Sequence, residues 1–300
     1  MQETTWIERY IVPLVDAPGA DGLRDDVAIL SASGVMIATM DTLVEGVHFL
    51  ASDPLDTVGQ KLVRVNVSDI YAKGAKPIEA LLSIAWPHNR PEAEFAAFMR
   101  GMQSDLEAFN IALIGGDLVG TEGPLTLSLT LTGACFGAQP VRRSGGRAGQ
   151  SVLINGEIGW GGIGLAAAVT ETDSDDTCRY RVPRIATQSD AKVVADHAAS
   201  SMDVSDGLLM DATRLAEAAN CGIELELSRI PLAQPSENIE KILDQCVAGD
   251  DYCILIAAED PDLVPGFTEI GKLTQTRGLR LFQQGEAVNL PSTLGFEHKA

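Results

Sequence analysis

The clearest alternation of apolar and polar residues in the chain runs over residues 125–132. Every second residue there is Leu, and each residue between is Thr or Ser. A period of two places the leucines on one face of a strand and the hydroxyls on the other. We therefore expect a half-buried antiparallel strand, whose hydroxyl face could also line a subunit interface.

Apolar runs and helical periodicity predict alternating strands and helices through the rest of the first half. Asp53-Pro54 indicates a helix start, because Asp caps a helix and Pro tolerates its first position, and Gly74 marks the end. Asn66 and Asp69 then lie three residues apart, on one side of that helix. The other predicted elements are paired strands at 27–30 and 35–39, a buried strand at 81–86, an amphipathic helix at 91–109, and a short strand at 111–114 ending at a Gly-Gly-Asp turn.

Residues 139–150 are rich in Gly, Arg and Pro and indicate the passage into a second domain. Three hundred residues are too many for one small core. We therefore expect an N-terminal domain over residues 1–138 and a C-terminal domain over residues 139–300.

The second half also mixes strand and helix signals. We expect one helix capped by Ser189 and another that is capped by Ser205 or Asp206 and stopped by Gly222. The other predicted elements are strands at 152–154, 223–227 and 252–257, an Ala-rich helix after a Gly-rich turn at 156–164, a solvated acidic loop at 171–176, and a helix after Pro235.

Charge restricts the possible partners of the chain. The net charge is −20, from 42 acidic and 22 basic residues. Such a surface repels nucleic acid and anionic membranes, so we expect neither as a partner. A small phosphorylated substrate is still compatible, provided that metal ions supply positive charge. Hydrophobic residues make up 45% of the chain, which is enough for folded cores.

Cysteine usage and the N-terminus indicate a cytoplasmic protein. The five cysteines are odd in number and form no Cys-x-x-Cys pair, which favours a reduced compartment and mostly buried thiols. No basic region precedes an apolar one at the N-terminus, so we expect no signal peptide. No apolar run of 18 residues is free of charge, so we expect no membrane span.

Residues 159–164 match the spacing G-x-G-x-x-G after a strand and before a helix. A dinucleotide site would need a carboxylate at the end of the next strand, about twenty residues further on. The acidic residues at 173–176 follow no predicted strand, so this is the lesser alternative. A Gly-rich turn that permits tight packing is the better interpretation. The sequence has no Walker motif, so P-loop chemistry is not expected.

Six aspartates stand in short phrases that follow or interrupt apolar runs, where sites are often built. They are Asp26, Asp41, Asp69, Asp117, Asp203 and Asp206. If these carboxylates converge, they cannot all ionise unless cations lie among them. Mg²⁺ prefers oxygen ligands and bridges carboxylates to substrate phosphates. The pattern therefore indicates an enzyme that uses Mg²⁺ and acts on a phosphate.

Each phrase also has a simpler structural interpretation. Asp206 can cap the helix that follows it, Asp117 can belong to an ordinary turn, and Asp69 can be a solvated side chain. Capping leaves Asp203 unexplained, so we favour a functional site at 203–207. Asp117 and Asp69, each taken alone, stay open.

Two further features are ambiguous in the same way. A lone histidine such as His48 is more often structural than functional, and four histidines without a Cys at ligand spacing exclude a His-rich zinc site. The basic cluster at 142–147 is either a solvated linker or a grip on a nucleotide phosphate.

Taken together, these phrases resemble the thiamine-monophosphate kinase family, in the superfamily of aminoimidazole ribonucleotide synthetase and selenophosphate synthetase. The resemblance runs nearly end to end. It is carried by the phrases at 25–30, 41–49, 65–70, 115–117, 143–145, 202–208, 249–252 and 295–298. Leu-Val-Glu-Gly-Val-His-Phe at 43–49 and Gly-Asp-Asp-Tyr at 249–252 point to the thiamine branch.

The resemblance implies a fold and an activity. The fold would be α/β, of the α+β type, with an N-terminal mixed sheet that pairs with its copy in a homodimer and a C-terminal α/β sandwich domain. The activity would be transfer of the γ-phosphoryl group of ATP to thiamine monophosphate, assisted by several Mg²⁺ ions. No side chain would act as a nucleophile, because the acceptor is already an ionised phosphate.

The resemblance also implies roles for residues that match the phrases of the family. Gly116, Asp117, Arg143 and Ser205 would bind the nucleotide. His48, Asp250 and Phe296 would bind the thiamine phosphate. The Mg²⁺ ligands would be Asp26, Thr39, Asp41, Asp69, Asp117, Asp203 and Asp206.

The chain departs from the family pattern at several positions. Arg24 precedes the Asp pair in place of a small residue, Leu118 stands where Thr is expected, Trp160 replaces an Asp, and Cys253 replaces a Glu. The residues 181–184 depart from an Arg-Pro-x-Pro-Arg stretch. Two alternatives therefore stay open: a related ATP-dependent enzyme with another small-molecule acceptor, and a non-catalytic protein that binds a nucleotide or a thiamine phosphate.

Overall fold

The computed structural model describes residues 3–17, 34–170 and 174–297, and the chain forms two compact units. Unit 1 comprises the described residues up to Ile70 together with Lys76–Ala134. Unit 2 comprises Tyr71–Ala75 together with the described residues from Cys135 onward. The predicted strand at 27–30 and the candidate ligand Asp26 lie outside the described residues.

Unit 1 contains a four-stranded mixed sheet in the order β1-β4-β2-β3. β1 and β4 are antiparallel, whereas β2 and β3 are parallel. β1 and β3 are therefore the two edge strands of this sheet. The strands are β1 (Met36–Val44), β2 (Ala75–Pro87), β3 (Ala112–Thr121) and β4 (Thr126–Cys135).

The strand predicted from the Leu alternation is confirmed as β4. Its three alternating leucines, and Leu125 just before it, are all 0% exposed, and its antiparallel partner β1 pairs Thr42 with Ser128. The hydroxyls of that pair lie 2.7 Å apart and hydrogen-bond across the outer face. The period of two thus separates an apolar core face from a hydroxyl face, as the sequence predicted.

The helices of unit 1 are α1 (Glu3–Trp6), α2 (Leu55–Ala72) and α3 (Glu92–Phe109). α2 begins directly after Asp53-Pro54 and ends before Gly74, whose φ of +68° suits glycine. α3 buries Phe95 and Phe98, as its periodicity predicted, and their rings pack against Trp86. The helix predictions at 53–74 and 91–109 are confirmed.

Two predicted strands in unit 1 are present, but one end of each was predicted wrongly. β3 does not end at Gly115-Gly116-Asp117 but continues through these residues. A Cβ at position 116 would lie 1.9 Å from the Leu82 carbonyl oxygen, so glycine at this position permits the close pairing with β2. β2 begins six residues earlier than predicted and is half-buried, with Leu81 40% exposed.

Unit 2 contains a seven-stranded mixed sheet in the order β11-β10-β7-β9-β5-β8-β6. Its apolar residues form one core with those of the helices α7 and α8. The strands are β5 (Ser151–Ile154), β6 (Ala198–Val204), β7 (Gly222–Glu226), β8 (Cys253–Ala258), β9 (Thr268–Thr274), β10 (Gly278–Gln283) and β11 (Glu286–Val288). The helices are α4 (Trp160–Val169), α5 (Asp175–Arg181), α6 (Gln188–His197), α7 (Leu208–Ala218) and α8 (Ile239–Val247).

Several predicted strands and helices of unit 2 are confirmed, namely those at 152–154, 223–227 and 252–257 and the helix after Pro235. The last three strands escaped the sequence analysis, because charged and polar residues interrupt their alternation. The mixed α/β class that the resemblance implied is confirmed by the two sheets and their helices.

The helix ends in unit 2 correct four predictions. Thr187, not Ser189, caps α6 and forms a capping box with Asp190. α7 has Gly207 at its N-cap position without a side-chain hydrogen bond, and it ends at Ala218, before Gly222. The Gly-rich turn passes into the helix, since α4 begins at Trp160. The described end of the predicted acidic loop, at 175–176, forms the first turn of α5.

None of the helices in the described parts of the chain is long and apolar enough to cross a membrane.

The crossing of α2 and α3 generates a stability prediction. A Cβ at Gly101 would lie 1.8 Å from the Asp56 carbonyl oxygen, so the two backbones touch there. Gly→Ala in an exposed helix stabilises by about 1 kcal/mol, but Gly101→Ala should destabilise by about 1–3 kcal/mol, because the helices must separate. Thermal unfolding followed by circular dichroism measures this effect.

Gly123→Ala is the matched control, because a Cβ there meets only the Thr121 hydroxyl at 3.4 Å. Its unfolding midpoint should stay near that of the parent. A Gly101→Ala protein that is as stable as the parent would contradict the close crossing.

Candidate active site

A pair of carboxylates lies on the inner side of unit 1, where β1 passes α2. Asp41 extends from β1, and Asp69 extends from the last turns of α2. The Thr39 hydroxyl on β1 donates a hydrogen bond to Asp69 Oδ2. The structure therefore brings together three of the candidate Mg²⁺ ligands, Thr39, Asp41 and Asp69.

Asn66 fixes the strand against the helix at this point. It is fully buried, and its Oδ1 accepts a hydrogen bond of 3.1 Å from the backbone N–H of Asp41. Its Nδ2 donates to the Leu62 carbonyl oxygen one helical turn earlier, at 2.9 Å. The spacing of Asn66 and Asp69 on one side of α2, which the sequence predicted, is confirmed, because both residues engage β1.

The pKa of Asp41 is raised to about 7 by its surroundings. Burial is the larger cause, because it removes water from the charged form, and the nearby negative charge of Asp69 is the second. Both causes favour the protonated form of Asp41, and a cation between the two carboxylates would counteract them by stabilising the charged form.

His48 lies in the short loop that follows β1. Its Nδ1 accepts a hydrogen bond of 3.0 Å from the backbone N–H of Val44, which fixes the ring. Lys61 on α2 is only 1% exposed, and its Nζ donates to the His48 carbonyl oxygen at 3.0 Å. Glu45 in the same loop binds Arg90 at 2.5 Å. The loop is thus held rigidly by buried polar contacts on either side of His48.

Asp117 and Gly116 lie at the other edge of the sheet in unit 1. Both belong to the edge strand β3, where Asp117 pairs with Ser83 and its side chain is exposed. Two strands, β4 and β2, separate β3 from β1. Within unit 1, Asp117 is therefore apart from the pair formed by Asp41 and Asp69.

Unit 2 places Asp203 and Asp206 at the end of β6 and before α7. Asp203 is in the strand and 5% exposed, whereas Asp206 lies in the following turn and is partly exposed. Asp211 shapes this turn, since it accepts hydrogen bonds of 3.0 Å from the backbone N–H groups of Ser205 and Asp206. Arg214 binds the carboxylates of both Asp206 and Asp211.

Asp211 is fully buried, and this burial raises its pKa. The backbone N–H of Asp206 and the guanidinium of Arg214 act in the opposite direction, because they stabilise the charged form. The Asp211 carboxylate thus fixes the turn that precedes α7. Gly207, at the N-cap position, makes no side-chain capping hydrogen bond, so the cap that the sequence analysis assigned to Ser205 or Asp206 was wrong. An acidic residue on the apolar stripe of α7 was the available signal for this role.

Three separate segments meet at the same turn in unit 2. The backbone N–H of Asp250 donates to the Ser205 carbonyl oxygen at 2.8 Å. The backbone N–H of Phe296 donates to the Asp206 carbonyl oxygen, also at 2.8 Å. The candidate nucleotide residue Ser205 and the candidate acceptor residues Asp250 and Phe296 are therefore neighbours. The side chain of Phe296 is 46% exposed.

Arg143 lies in a short 3-10 turn, Arg143–Gly145, that packs against β6 and α7. A Cβ at Gly145 would lie 1.9 Å from the Ala199 carbonyl oxygen, so the turn touches the start of β6 directly. The Arg143 side chain is exposed.

A cleft of about 340 Å³ opens in unit 2 beside the start of α4. One wall is the 249–252 turn, with Asp250 and Tyr252, and another is Trp160, which is the first residue of α4. The Arg179 guanidinium stacks 3.9 Å from the centre of the Trp160 ring, and the Trp160 indole N–H donates to Glu157 at 2.7 Å. The cleft thus combines an aromatic ring with acidic and basic side chains.

The glycines at 159–164 pack against neighbouring segments and form no dinucleotide fingerprint. A Cβ at Gly161 would lie 2.1 Å from the Gly249 carbonyl oxygen, and a Cβ at Gly164 would lie 2.4 Å from that of Asp176. Gly159 has a φ of +108°, which favours glycine. The packing interpretation of this motif agrees with these contacts.

Among the residues that the structure describes, no three His, Cys, Asp or Glu side chains are grouped as a metal site would require. Each unit on its own supplies two candidate aspartates at one place, Asp41 with Asp69 and Asp203 with Asp206.

Family comparisons agree with this geometry. Residues 24–137 match the family "AIR synthase related protein, N-terminal domain", and residues 147–282 match the corresponding C-terminal domain. Thiamine-monophosphate kinase of Caulobacter vibrioides is 37% identical over 97% of this chain and 89% of its own length. The chain belongs to the thiamine-monophosphate kinase family, within the AIR synthase related proteins.

Solved structures of this family share the fold. AaThiL complexed with AMPPCP and TMP has a TM-score of 0.77 and 29% identity, and the match covers 88% of this chain and 87% of that one. Thiamine-monophosphate kinase of Stenotrophomonas maltophilia has a TM-score of 0.80 and 26% identity, over 96% and 98% of the two chains.

Two departures from the kinase family pattern lie together in the cleft. Trp160 and Cys253 both line it, and Cys253 is buried beside the Glu157 carbonyl oxygen, 3.5 Å away. Burial raises the pKa of the Cys253 thiol, so the thiol stays protonated and is not a nucleophile. Leu118, in contrast, is buried in β3 as a core residue.

The carboxylate pair generates a titration prediction. Asp69→Asn removes the second cause of the raised pKa of Asp41, so that pKa should fall below 7 but stay above the ordinary value near 4 because burial persists. Carbon-13 NMR of the Asp41 carboxyl in magnesium-free buffer measures it.

Asp56→Asn, at an exposed position of α2, is the matched control and should leave the pKa of Asp41 unchanged. A pKa of Asp41 that does not move in the Asp69→Asn protein would show that the two carboxylates do not interact.

Proposed function

We propose that this protein transfers the γ-phosphoryl group of ATP to thiamine monophosphate, giving ADP and thiamine diphosphate. The observation that carries the proposal is the similarity to thiamine-monophosphate kinases over nearly the whole chain. The candidate acceptor residues Asp250 and Phe296 and the candidate nucleotide residue Ser205 are joined by backbone hydrogen bonds around one turn, which supports it.

Mg²⁺ fits the donor set of unit 1. Asp41 and Asp69 are close enough for their charges to repel, and Thr39 adds a hydroxyl oxygen beside them. Hard divalent cations take such oxygen ligands, and the repulsion is relieved when a cation binds. Asp203 and Asp206 would serve as ligands in unit 2, with Asp26 and Asp117 completing the proposed set.

Phosphoryl transfer between two phosphates is opposed mainly by charge, since one anion must approach another. Mg²⁺, when bound, neutralises the phosphates and helps to align them. The chain's own residues position the reactants: Gly116, Arg143 and Ser205 the nucleotide, and His48, Asp250 and Phe296 the acceptor. No strong base is required, because the acceptor phosphate is already ionised near neutral pH. Positioning of this kind accounts for much of the rate in such enzymes.

Arg214 contacts one of the proposed metal ligands of unit 2. It binds Asp206 and Asp211 together and so supplies a resident positive charge next to a proposed metal ligand. The guanidinium orients the Asp206 carboxylate through this charge-assisted contact. This contact escaped the sequence analysis, because Arg214 lies eight residues from Asp206 on another turn of the chain.

A second acceptor chemistry is the alternative that a specific observation favours. Trp160 and Cys253 replace an acid each and lie in the cleft beside Asp250. The alternative is a kinase of the same superfamily whose acceptor is another small molecule. A protein that binds thiamine monophosphate without phosphorylating it is the non-catalytic alternative.

The activity prediction uses ADP release as its measurement. The wild type should release ADP from ATP when both Mg²⁺ and thiamine monophosphate are present, and Asp69→Asn should lower kcat/KM by roughly 100-fold or more, because a metal ligand is lost. Asp244→Asn, at an exposed position of α8, should keep wild-type activity.

The controls separate the alternatives. ADP release that needs another acceptor would favour the second chemistry, and calorimetric binding of thiamine monophosphate without any ADP would favour the non-catalytic alternative. Full turnover in the presence of a chelator would contradict every proposed metal ligand.

We further propose that the protein is a cytoplasmic homodimer whose subunits pair through the outer face of the sheet of unit 1. This face carries the hydroxyls of β4 and three exposed apolar side chains, Met40, Leu81 and Val119, of which Met40 is 64% exposed. The core face lies opposite, with its leucines fully buried. Exposed apolar groups on an otherwise polar face are typical of a protein interface.

Light scattering after size-exclusion chromatography tests the dimer. The wild type should have twice the mass of the chain, which is 31.8 kDa. Met40→Glu together with Leu81→Glu should shift the mass to that of a monomer, because charges cannot be buried without partners. Leu263→Glu, at an exposed apolar position of unit 2, is the control and should stay dimeric. A wild type that elutes as a monomer at micromolar concentration would contradict the proposal.

A further inference from the structure

The turn at 249–252 in unit 2 has an unusual backbone. Asp250 and Tyr252 have φ values of +65° and +52°, in the left-handed region that residues with side chains rarely adopt. The turn is held by hydrogen bonds of 2.8 Å from Asp250 N–H to Ser205 and from Tyr252 N–H to Val204. Such strain persists where the surroundings enforce it, and it is frequent at functional sites.

Asp251, between these two residues, is the part of the turn that reaches into the protein. It is only 5% exposed. One carboxylate oxygen accepts a hydrogen bond of 2.9 Å from Gly159 N–H, and the other accepts one of 3.1 Å from Gly161 N–H. Because these N–H groups stand at the beginning of α4, the carboxylate joins the turn to that helix.

The two segments that Asp251 joins are in direct contact. A Cβ at Gly161 would lie 2.1 Å from the Gly249 carbonyl oxygen and 2.7 Å from the Cβ of Asp250. The cleft has Asp250 on one of these segments and Trp160 on the other. A small change in the seating of α4 on the turn would therefore change the distance between Asp250 and Trp160.

We propose that Asp251 is a positioning residue that holds α4 against the 249–252 turn and so sets the width of the cleft in which the acceptor binds. The inference rests on the proposed function, because Asp250 is assigned to the acceptor there. Asp251 acts through the two segments that it joins. Its effect is on acceptor binding, since Asp250 and Trp160 on these segments line the cleft.

The charge state of Asp251 supports this role and gives it a pH dependence. Burial raises its pKa to about 7, and the N–H groups of Gly159 and Gly161 act in the opposite direction. Above pH 7 both oxygens accept hydrogen bonds, whereas below pH 7 a proton occupies one of them and the joint weakens. The charged and titratable groups that face Asp251 or line the cleft are Asp250, Cys246, Cys253, Glu157, Arg179, Arg184 and Asp190.

The kinetic test compares Asp251→Asn with Asp244→Asn, whose side chain is exposed on α8. At pH 8, Asp251→Asn should raise KM for thiamine monophosphate at least fivefold and leave kcat and KM for ATP within twofold. The ratio of the two proteins' KM values should fall towards one at pH 6. Titration of the acceptor phosphate affects both proteins equally and cancels from this ratio.

A second test needs no turnover. The tryptophans are Trp6, Trp86 and Trp160, so the difference in emission between wild type and Trp160→Phe reports on Trp160 at the start of α4. That difference should titrate with a midpoint near pH 7 in the free protein. In the Asp251→Asn background, the same difference should be independent of pH between 6 and 8.

The outcomes separate this inference from the proposed function. If no ADP is released with thiamine monophosphate, the proposed function is wrong, and the emission titration decides whether Asp251 forms the joint. If Asp251→Asn lowers kcat and raises KM for ATP as much as it raises KM for thiamine monophosphate, Asp251 has a general structural role and the inference is overturned. The inference would also be overturned if Asp251→Asn left KM for thiamine monophosphate unchanged, or if the Trp160 emission of the wild type did not depend on pH. The emission test on wild type and Trp160→Phe stands even if Asp251→Asn fails to fold.

Discussion

A carboxylate that leaves water must find a compensating partner, and this constraint shapes both units of the protein. Burial alone raises a carboxyl pKa by disfavouring the charged form. Asp41, Asp211 and Asp251 are all largely buried, and the pKa of each is raised for that reason. Their partners differ: two of these carboxylates are paired within the protein and have structural roles, whereas the third has a like-charged neighbour, as is typical of a functional site.

Asp211 and Asp251 find their partners within the protein. Asp211 accepts two backbone N–H groups and an arginine, and Asp251 accepts two N–H groups at a helix start. Such bonds stabilise the carboxylate and fix the chain segments that supply them. These residues serve structure directly and chemistry only through what they hold in place.

Asp41 has the opposite kind of neighbour. Asp69 adds negative charge beside it, and the contacts of Thr39 and Asn66 hold the strand and the helix together despite that repulsion. Like-charge repulsion that destabilises the unliganded fold is typical of a site that binds a ligand. A divalent cation is the ligand that the donor atoms favour. A cation bound there would supply the positive charge that the protein itself lacks beside this pair.

The sequence by itself determined the elements with a strong period, as in β4 and α3, because alternating or helical burial is written directly in the order of apolar residues. It also indicated the family, since the aspartate phrases stand in a recognisable order. Only the tertiary structure decided that Gly115-Gly116-Asp117 lies within a strand, that Asp211 fixes the turn before α7, and that Asp251 joins two segments 90 or more residues apart in the chain. The physical reason is common to all three: these roles depend on a neighbouring backbone, such as the Leu82 carbonyl or the Gly159 N–H, which no local pattern reveals.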